Sequence, residues 1–237
     1  MNAPAPRPSP PRLVVVTDRV AAAAAGNTVR EVVRAALEGG APAILLRDKS
    51  RPDGDRRELG EAIAPLVRAA GAQLWVTADH WLADELDADG LHLPGDVDRP
   101  SAWTGPISRS VHRPAELHRA RREGAAHAYV SPVASTTSKP GYGPALGASG
   151  VRRLVDDAAG LPLLALGGVT PENLTAWRAA GAAGVAVMGR VMGATDAADA
   201  VRSLLTAWQD AKRSGADEDV PTPEAIPNST DQPSEHR

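Results

Sequence analysis

The chain of 237 residues contains no cysteine and no phenylalanine, and its aromatic content is only 3 %. The first absence excludes disulfides, thiolate metal sites and a cysteine nucleophile together. The second leaves the core to Ala, Val and Leu, as in tightly packed α/β layers, although a GC-rich genome gives a similar composition. No apolar run approaches the ~20 residues that a membrane-spanning helix needs, so no membrane partner is expected. Basic charge is not in excess either. The net charge is −3, and the segment from Lys212 to Arg237, with three basic and six acidic residues, accounts for all of it. The balanced remainder gives no reason to expect nucleic acid as a partner. Met1–Pro11 is Pro-rich without a hydrophobic signal core, unlike a secretory peptide, and a cytoplasmic location is expected.

What the chain does have is a repeating pattern. A short aliphatic run, a polar turn and a helical stretch follow one another from Leu13 onward. The strand candidates are Leu13–Thr17, Ala43–Arg47, Leu74–Thr77, Gly90–Leu93, Ile107–Ser110, Ala128–Ser131, Leu163–Leu166 and Val185–Met188. Each is short and mostly apolar, as parallel strands buried on both faces are. Helices are expected over Thr28–Glu38, Arg56–Ala70, Pro114–Glu123, Gly150–Ala158 and Pro171–Ala180, where Leu59, Ile63, Leu66 and Val67 of the second recur at helical spacing. The connections near Trp81–Leu86 and Asp98–Trp103 are too short for full helices. A small-residue turn precedes several strands, as in "GGAPAILLR" and "GAAGVAVMG". This rhythm fits an α/β chain forming a single (β/α)8 TIM barrel over residues 12–211 better than an open doubly wound sheet. Residues 1–11 and 212–237, polar and without periodicity, read as disordered extensions, the second acidic.

Two glycine-bearing segments follow the seventh and eighth strand candidates: Gly167-Gly168 and Gly189-Arg190. Glycine lets backbone N–H groups approach an anion, and a phosphate site after strands seven and eight recurs in this class of barrel. After the sixth strand, Ser131–Gly143 carries five Ser/Thr hydroxyls and Lys139 between prolines and glycines. Thr136, Ser138 and Lys139 suit an oxyanion clamp at the same rim. The expected ligand is a small-molecule phosphate ester.

Five motifs give this reading a family. "LLRDK" (Leu45–Lys49), "ADGLHL" (Ala88–Leu93), "SPVASTTSKPGYGPALG" (Ser131–Gly147), "LALGGVTPEN" (Leu164–Asn173) and "GAAGVAVMGRV" (Gly181–Val191) resemble the thiamin phosphate synthase and TenI family. The resemblance covers about Leu13 to Leu205, implies a (β/α)8 barrel and leaves a homo-oligomer open. It also implies one of two chemistries. A synthase joins hydroxymethylpyrimidine diphosphate to thiazole phosphate with Mg²⁺, releasing diphosphate. A TenI-type tautomerase aromatises a carboxythiazole phosphate without a cofactor.

Against the synthase pattern, Leu45 stands where the resemblance implies Gln, Ala78 stands before Asp79 where it implies Asn, and Val97 aligns with a Mg²⁺-binding Asp. Asp79 and Asp96 would be the remaining metal ligands. In favour of a tautomerase, Arg109-Ser110-Val111-His112 resembles the TenI motif, with His112 as proton shuttle and Arg47 meeting the substrate carboxylate. Lys49 would add to the substrate-binding set. The expectation is therefore an isomerase, a thiazole tautomerase needing no metal. The alternatives are a thiamin phosphate synthase (a transferase with Mg²⁺) and a non-catalytic binder of thiazole phosphate. His92 reads as barrel packing or a rim hydrogen bond, His118 and His127 as surface or helix-end residues. Asp18 reads as a helix cap or a ligand, and Arg47 as a possible ion partner of Asp79.

Overall fold

The structure, a computed structural model, describes residues 9–47, 53–135 and 144–214. Eight parallel strands, β1 (Leu13–Val16), β2 (Ala43–Leu46), β3 (Gln73–Thr77), β4 (Gly90–Leu93), β5 (Ile107–Val111), β6 (His127–Val130), β7 (Leu163–Leu166) and β8 (Gly184–Val187), close into a barrel in chain order. Closure is made by β1 against β8, with Val14 beside Ala186. Each strand is only four or five residues long, and alternation sends successive side chains inward and outward. The outward set, with Ile44, Val76, Leu91 and Val130 among its members, packs under the helices as one large core.

The inward set divides by character. Val14, Val16, Ala43, Leu45, Leu164 and Ala186, from β1, β2, β7 and β8, are apolar. The facing arc from β3 to β6 carries Trp75, His92, Ser108, His127 and Tyr129, all buried. Trp75 fills the barrel beside β4 because Gly90 has no side chain. A Cβ at Gly90 would lie 2.2 Å from the indole. His127 is fully buried here, against the sequence expectation of a surface residue. It shares the inward face of β6 with Tyr129, and strand alternation fixes that face once Ala128 and Val130 turn outward.

The helices are α1 (Arg19–Ala24), α2 (Val29–Glu38), α3 (Asp53–Ala69), α4 (His80–Glu85), α5 (Pro114–Arg122), α6 (Gly147–Asp157), α7 (Leu174–Ala179, after a 3₁₀ turn at Pro171–Asn173), α8 (Gly189–Met192) and α9 (Ala197–Ser214). Asp18 caps α1 through the N–H of Ala21, and Thr28 with Glu31 forms a capping box on α2. None of the described residues between β4 and β5 is helical. Arginines hold that connection instead. Arg109, fully buried on the outer face of β5, donates to the carbonyls of Pro94 (3.0 Å) and Val97 (2.6 Å) and pairs with Glu123. Arg99 donates to the carbonyls of Trp103 and Gly105, and Arg119 joins Glu123 to Asp98. Among the described residues, no helix is long and apolar enough to cross a membrane.

Candidate active site

A cavity of about 1130 Å³ opens at the C-terminal rim of the strands. Ligand sites commonly span roughly 300–1,000 Å³, so the space suits more than one small molecule. In barrels of this class the βα loops at this rim carry the chemistry.

On one side, β7 ends in Gly167 and Gly168, which take φ of +94° and +69° and line the cavity. A side chain is excluded at Gly168, because a Cβ there would sit 2.5 Å from the Ser135 carbonyl oxygen and 2.8 Å from the Ala134 Cβ. Asn173 donates to the Gly168 carbonyl at 2.8 Å and accepts from the Thr170 N–H at 2.9 Å, bracing the turn. Gly189 opens α8 on the neighbouring strand end, and the exposed Arg190 lines the same wall. The two glycine segments and Arg190 therefore line one cavity.

Arg47, His112 and Asp96 line the same cavity. Arg47 follows β2, its backbone N–H donating to the Thr17 hydroxyl at 2.8 Å, and its guanidinium lies 3.8 Å from the Met188 sulfur. It has no ion pair among the described residues. The expectation that it might pair with Asp79 is corrected. Asp79 caps α4 through the Leu82 N–H (3.0 Å) with one oxygen and pairs with Arg56 (2.5 Å) through the other.

His112 ends β5's strand-to-helix turn. Its Nδ1 lies 2.8 Å from the Ser131 carbonyl oxygen, so this nitrogen carries a proton and donates. Its backbone N–H donates to Glu116 at 2.6 Å. Burial raises the pKa of Glu116, but hydrogen bonds from Arg113 and from that backbone N–H outweigh it and leave the carboxyl below its usual value. Glu116 stays ionised and holds the turn that carries His112.

Two residues missed by sequence reasoning lie on this wall. Ser110 hydrogen-bonds His92 at 3.0 Å, and Thr77, 7 % exposed, has a buried hydroxyl with no partner among the described residues. Inward alternation on β3 and β5 was the signal available for both. Lys49, Thr136, Ser138 and Lys139 lie outside the described residues.

The carboxylates among the described residues do not form a cage for Mg²⁺, which favours octahedral oxygen ligation. Asp79 has both oxygens committed and is not on the cavity wall, and Asp96, exposed, is the wall's described aspartate. Among the described residues no group of three or more His, Asp or Glu comes together as a metal site.

With this geometry in hand, comparison with known proteins decides the family. The family model described as thiamine monophosphate synthase matches residues 13–191. The chain belongs to that family. A thiamine-phosphate synthase of Roseiflexus castenholzii is 40 % identical over 208 residues, covering 85 % of this chain and 90 % of the relative. One from Moorella thermoacetica is 37 % identical, covering 81 % and 92 %. The solved structure of a thiamine phosphate pyrophosphorylase from Pyrococcus furiosus superposes with a TM-score of 0.74 at 30 % identity, covering 84 % of this chain and 96 % of that one.

These relatives overturn the tautomerase expectation and the isomerase class that went with it. That expectation took the loss of Gln, Asn and Asp at Leu45, Ala78 and Val97 as a change of reaction. Chains named as thiamine-phosphate synthases match this one across most of its length.

Proposed function

We propose that this chain is a thiamine-phosphate synthase, joining hydroxymethylpyrimidine diphosphate to thiazole phosphate with release of diphosphate. The observation that carries the proposal is the 40 % identity to a synthase across 85 % of the chain. The site supports it. One cavity must hold two phosphorylated reactants together, and bringing them into contact supplies much of the catalysis of a two-substrate transfer. The glycines at 167, 168 and 189, with Arg190, take the thiazole monophosphate. Arg47 faces the diphosphate side, with Lys49, Thr136, Ser138 and Lys139 completing it. His112, whose Nδ1–H donates to the Ser131 carbonyl, donates to the departing diphosphate from Nε2 when that nitrogen is protonated.

Mg²⁺ belongs to this reading as an expectation, and the described carboxylates supply little of its shell. Mg²⁺ is commonly held by one or two carboxylates together with substrate phosphates. Mn²⁺ titration followed by electron paramagnetic resonance is expected to show at least about tenfold tighter metal binding with diphosphate present than without it. The protein acts on small molecules in a soluble reaction, in the cytoplasm on this reading, with residues 12–211 as the catalytic barrel and a homo-oligomer compatible with it.

The test is incubation with both reactants and Mg²⁺, following thiamin phosphate and released diphosphate by chromatography. Formation of the two products in equal amounts supports the assignment. Binding of thiazole phosphate with no product at any metal concentration would overturn it.

A further inference from the structure

At the other end of the barrel, where the strands begin, a second pocket of about 610 Å³ lies between α5 and the turn that follows α6. His118, Arg121 and Arg122 of α5, all exposed, line it. At spacings of three and four residues they share one face of the helix. No acidic residue is among the described residues that line the pocket. Glu123, next in the chain, is turned to Arg109 and Arg119 instead.

Basic residues near the C-terminus of a helix ordinarily offset its dipole and bond its last carbonyls. Here the backbone already meets much of that need. The N–H groups of Glu123, Ala125 and Gly124 donate to the carbonyls of Arg119, Ala120 and Arg121 at the end of α5. Arg121 gives one nitrogen to the Asp157 carbonyl at 3.1 Å, which ties it to the end of α6. Arg122 and His118 have no hydrogen bond or ion pair among the described residues.

The facing wall is backbone. Ala158 is right-handed (φ −71°, ψ −17°), and Ala159 and Gly160 after it take φ of +48° and +85°. All three line the pocket. A right-handed residue followed by a left-handed one turns successive N–H groups to one side, a concavity suited to anions. The turn's own hydrogen bonds use the N–H groups of Ala158 and Leu161, and among the described residues not those of Ala159 or Gly160.

We propose that this pocket is a second anion site, separate from the rim cavity, taking a phosphate group. Arg121 and Arg122 supply charge and planar pairs of donors that match phosphate oxygens. His118 adds a donor from the same helix face, and the N–H groups of Ala159 and Gly160 complete the cradle. The phosphate comes either as the free anion or as the end of a small ester, for which a pocket of this volume has room. The site does not depend on which reaction the rim cavity performs.

The test follows amide shifts of the full-length, ¹⁵N-labelled protein. It is titrated separately with inorganic phosphate, inorganic diphosphate and glycerol phosphate at constant ionic strength. The amides of Ala159 and Gly160 are expected to shift and saturate independently of those of Gly168 and Gly189 at the rim. Arg122→Gln and Arg121→Gln are each expected to weaken the response at the base by about tenfold, the scale of one charge-assisted hydrogen bond. The rim amides should titrate as before in both variants, which also shows that the barrel is folded. Tighter binding of glycerol phosphate than of inorganic phosphate assigns the site to an ester, and the reverse order to the free anion. Silent amides at Ala159 and Gly160, the same response to chloride, or unchanged affinity in both arginine variants would overturn the site.

Discussion

At Gly168 an alanine would bring two penalties at once. Its φ of +69° lies in the left-handed region, and the new methyl would press on Ser135 and Ala134. Gly168→Ala is expected to lower stability by about 2 kcal/mol, the usual scale of overpacking with backbone strain, and to weaken thiazole phosphate binding. Thermal denaturation and calorimetry would check the two effects. Arg47→Met is expected to behave in the opposite manner. With no ion pair to lose among the described residues, the fold should keep its stability, while KM for the diphosphate reactant rises about tenfold or more as a charge-assisted contact is lost. An unchanged KM would remove Arg47 from the site. At this scale the sequence was informative where chemistry needs a particular backbone, as at Gly167 and Gly168. It was silent where chemistry comes from facing direction. His127 follows a run of small residues, which suggested a turn, and only its two-residue spacing from Tyr129 pointed into the barrel. The weight placed on Leu45, Ala78 and Val97 misled for a different reason, since missing ligands mark a changed site without naming the reaction.

Among the elements, the connection from β4 to β5 and the helix α5 depend on each other through charge. Arg109 is fully buried, and burial lowers its pKa although Glu123 opposes that shift. Glu123→Gln would leave this guanidinium without its carboxylate, at an expected cost of about 3 kcal/mol in urea denaturation. The carboxyls of Glu116 and Glu123 share an acid response. Burial raises both, but hydrogen bonds from Arg113 and His112 in one case, and from Arg119 and Arg109 in the other, leave both below the ordinary value of 4.5. A depressed folded-state pKa gives stability that is fully present above the unfolded value and lost as pH falls through the folded one. Urea midpoints should therefore hold from neutral pH down to about 4.5 and then fall, with a shallower fall in Glu123→Gln. A flat profile through the acid range would contradict the pairing. All eight strands lie within a residue or two of where short apolar runs placed them, because strands buried on both faces leave little ambiguity. The arginine-held connection was legible only as a segment too short for a helix, since partners such as the Pro94 and Val97 carbonyls have no sequence signature.

For the whole molecule, the strand count and order followed from the repeat, and family membership from five motifs in sequence. A closed barrel with its last helix docked has a clear dependence on that helix. Val201, Leu204 and Trp208 of α9 are buried, and α9 meets α2 and α7. A chain ending after Ser214 is expected to fold and retain activity, and one ending before Ala197 to lose its cooperative melt. Calorimetric scans of both would show it. A ligand at a hundred times its Kd adds about 2.7 kcal/mol, which for a chain of this size raises Tm by roughly 5–10 °C. Thiazole phosphate should produce that shift. Trp75, seated in the barrel through the gap left at Gly90, has a kinetic meaning as well. It helps fill the interior beneath the cavity, whose mouth is at the rim. On the proposed reaction both reactants would arrive, and both products depart, by that mouth, and a lingering product would obstruct the next arrival. Diphosphate should therefore inhibit competitively against the diphosphate reactant.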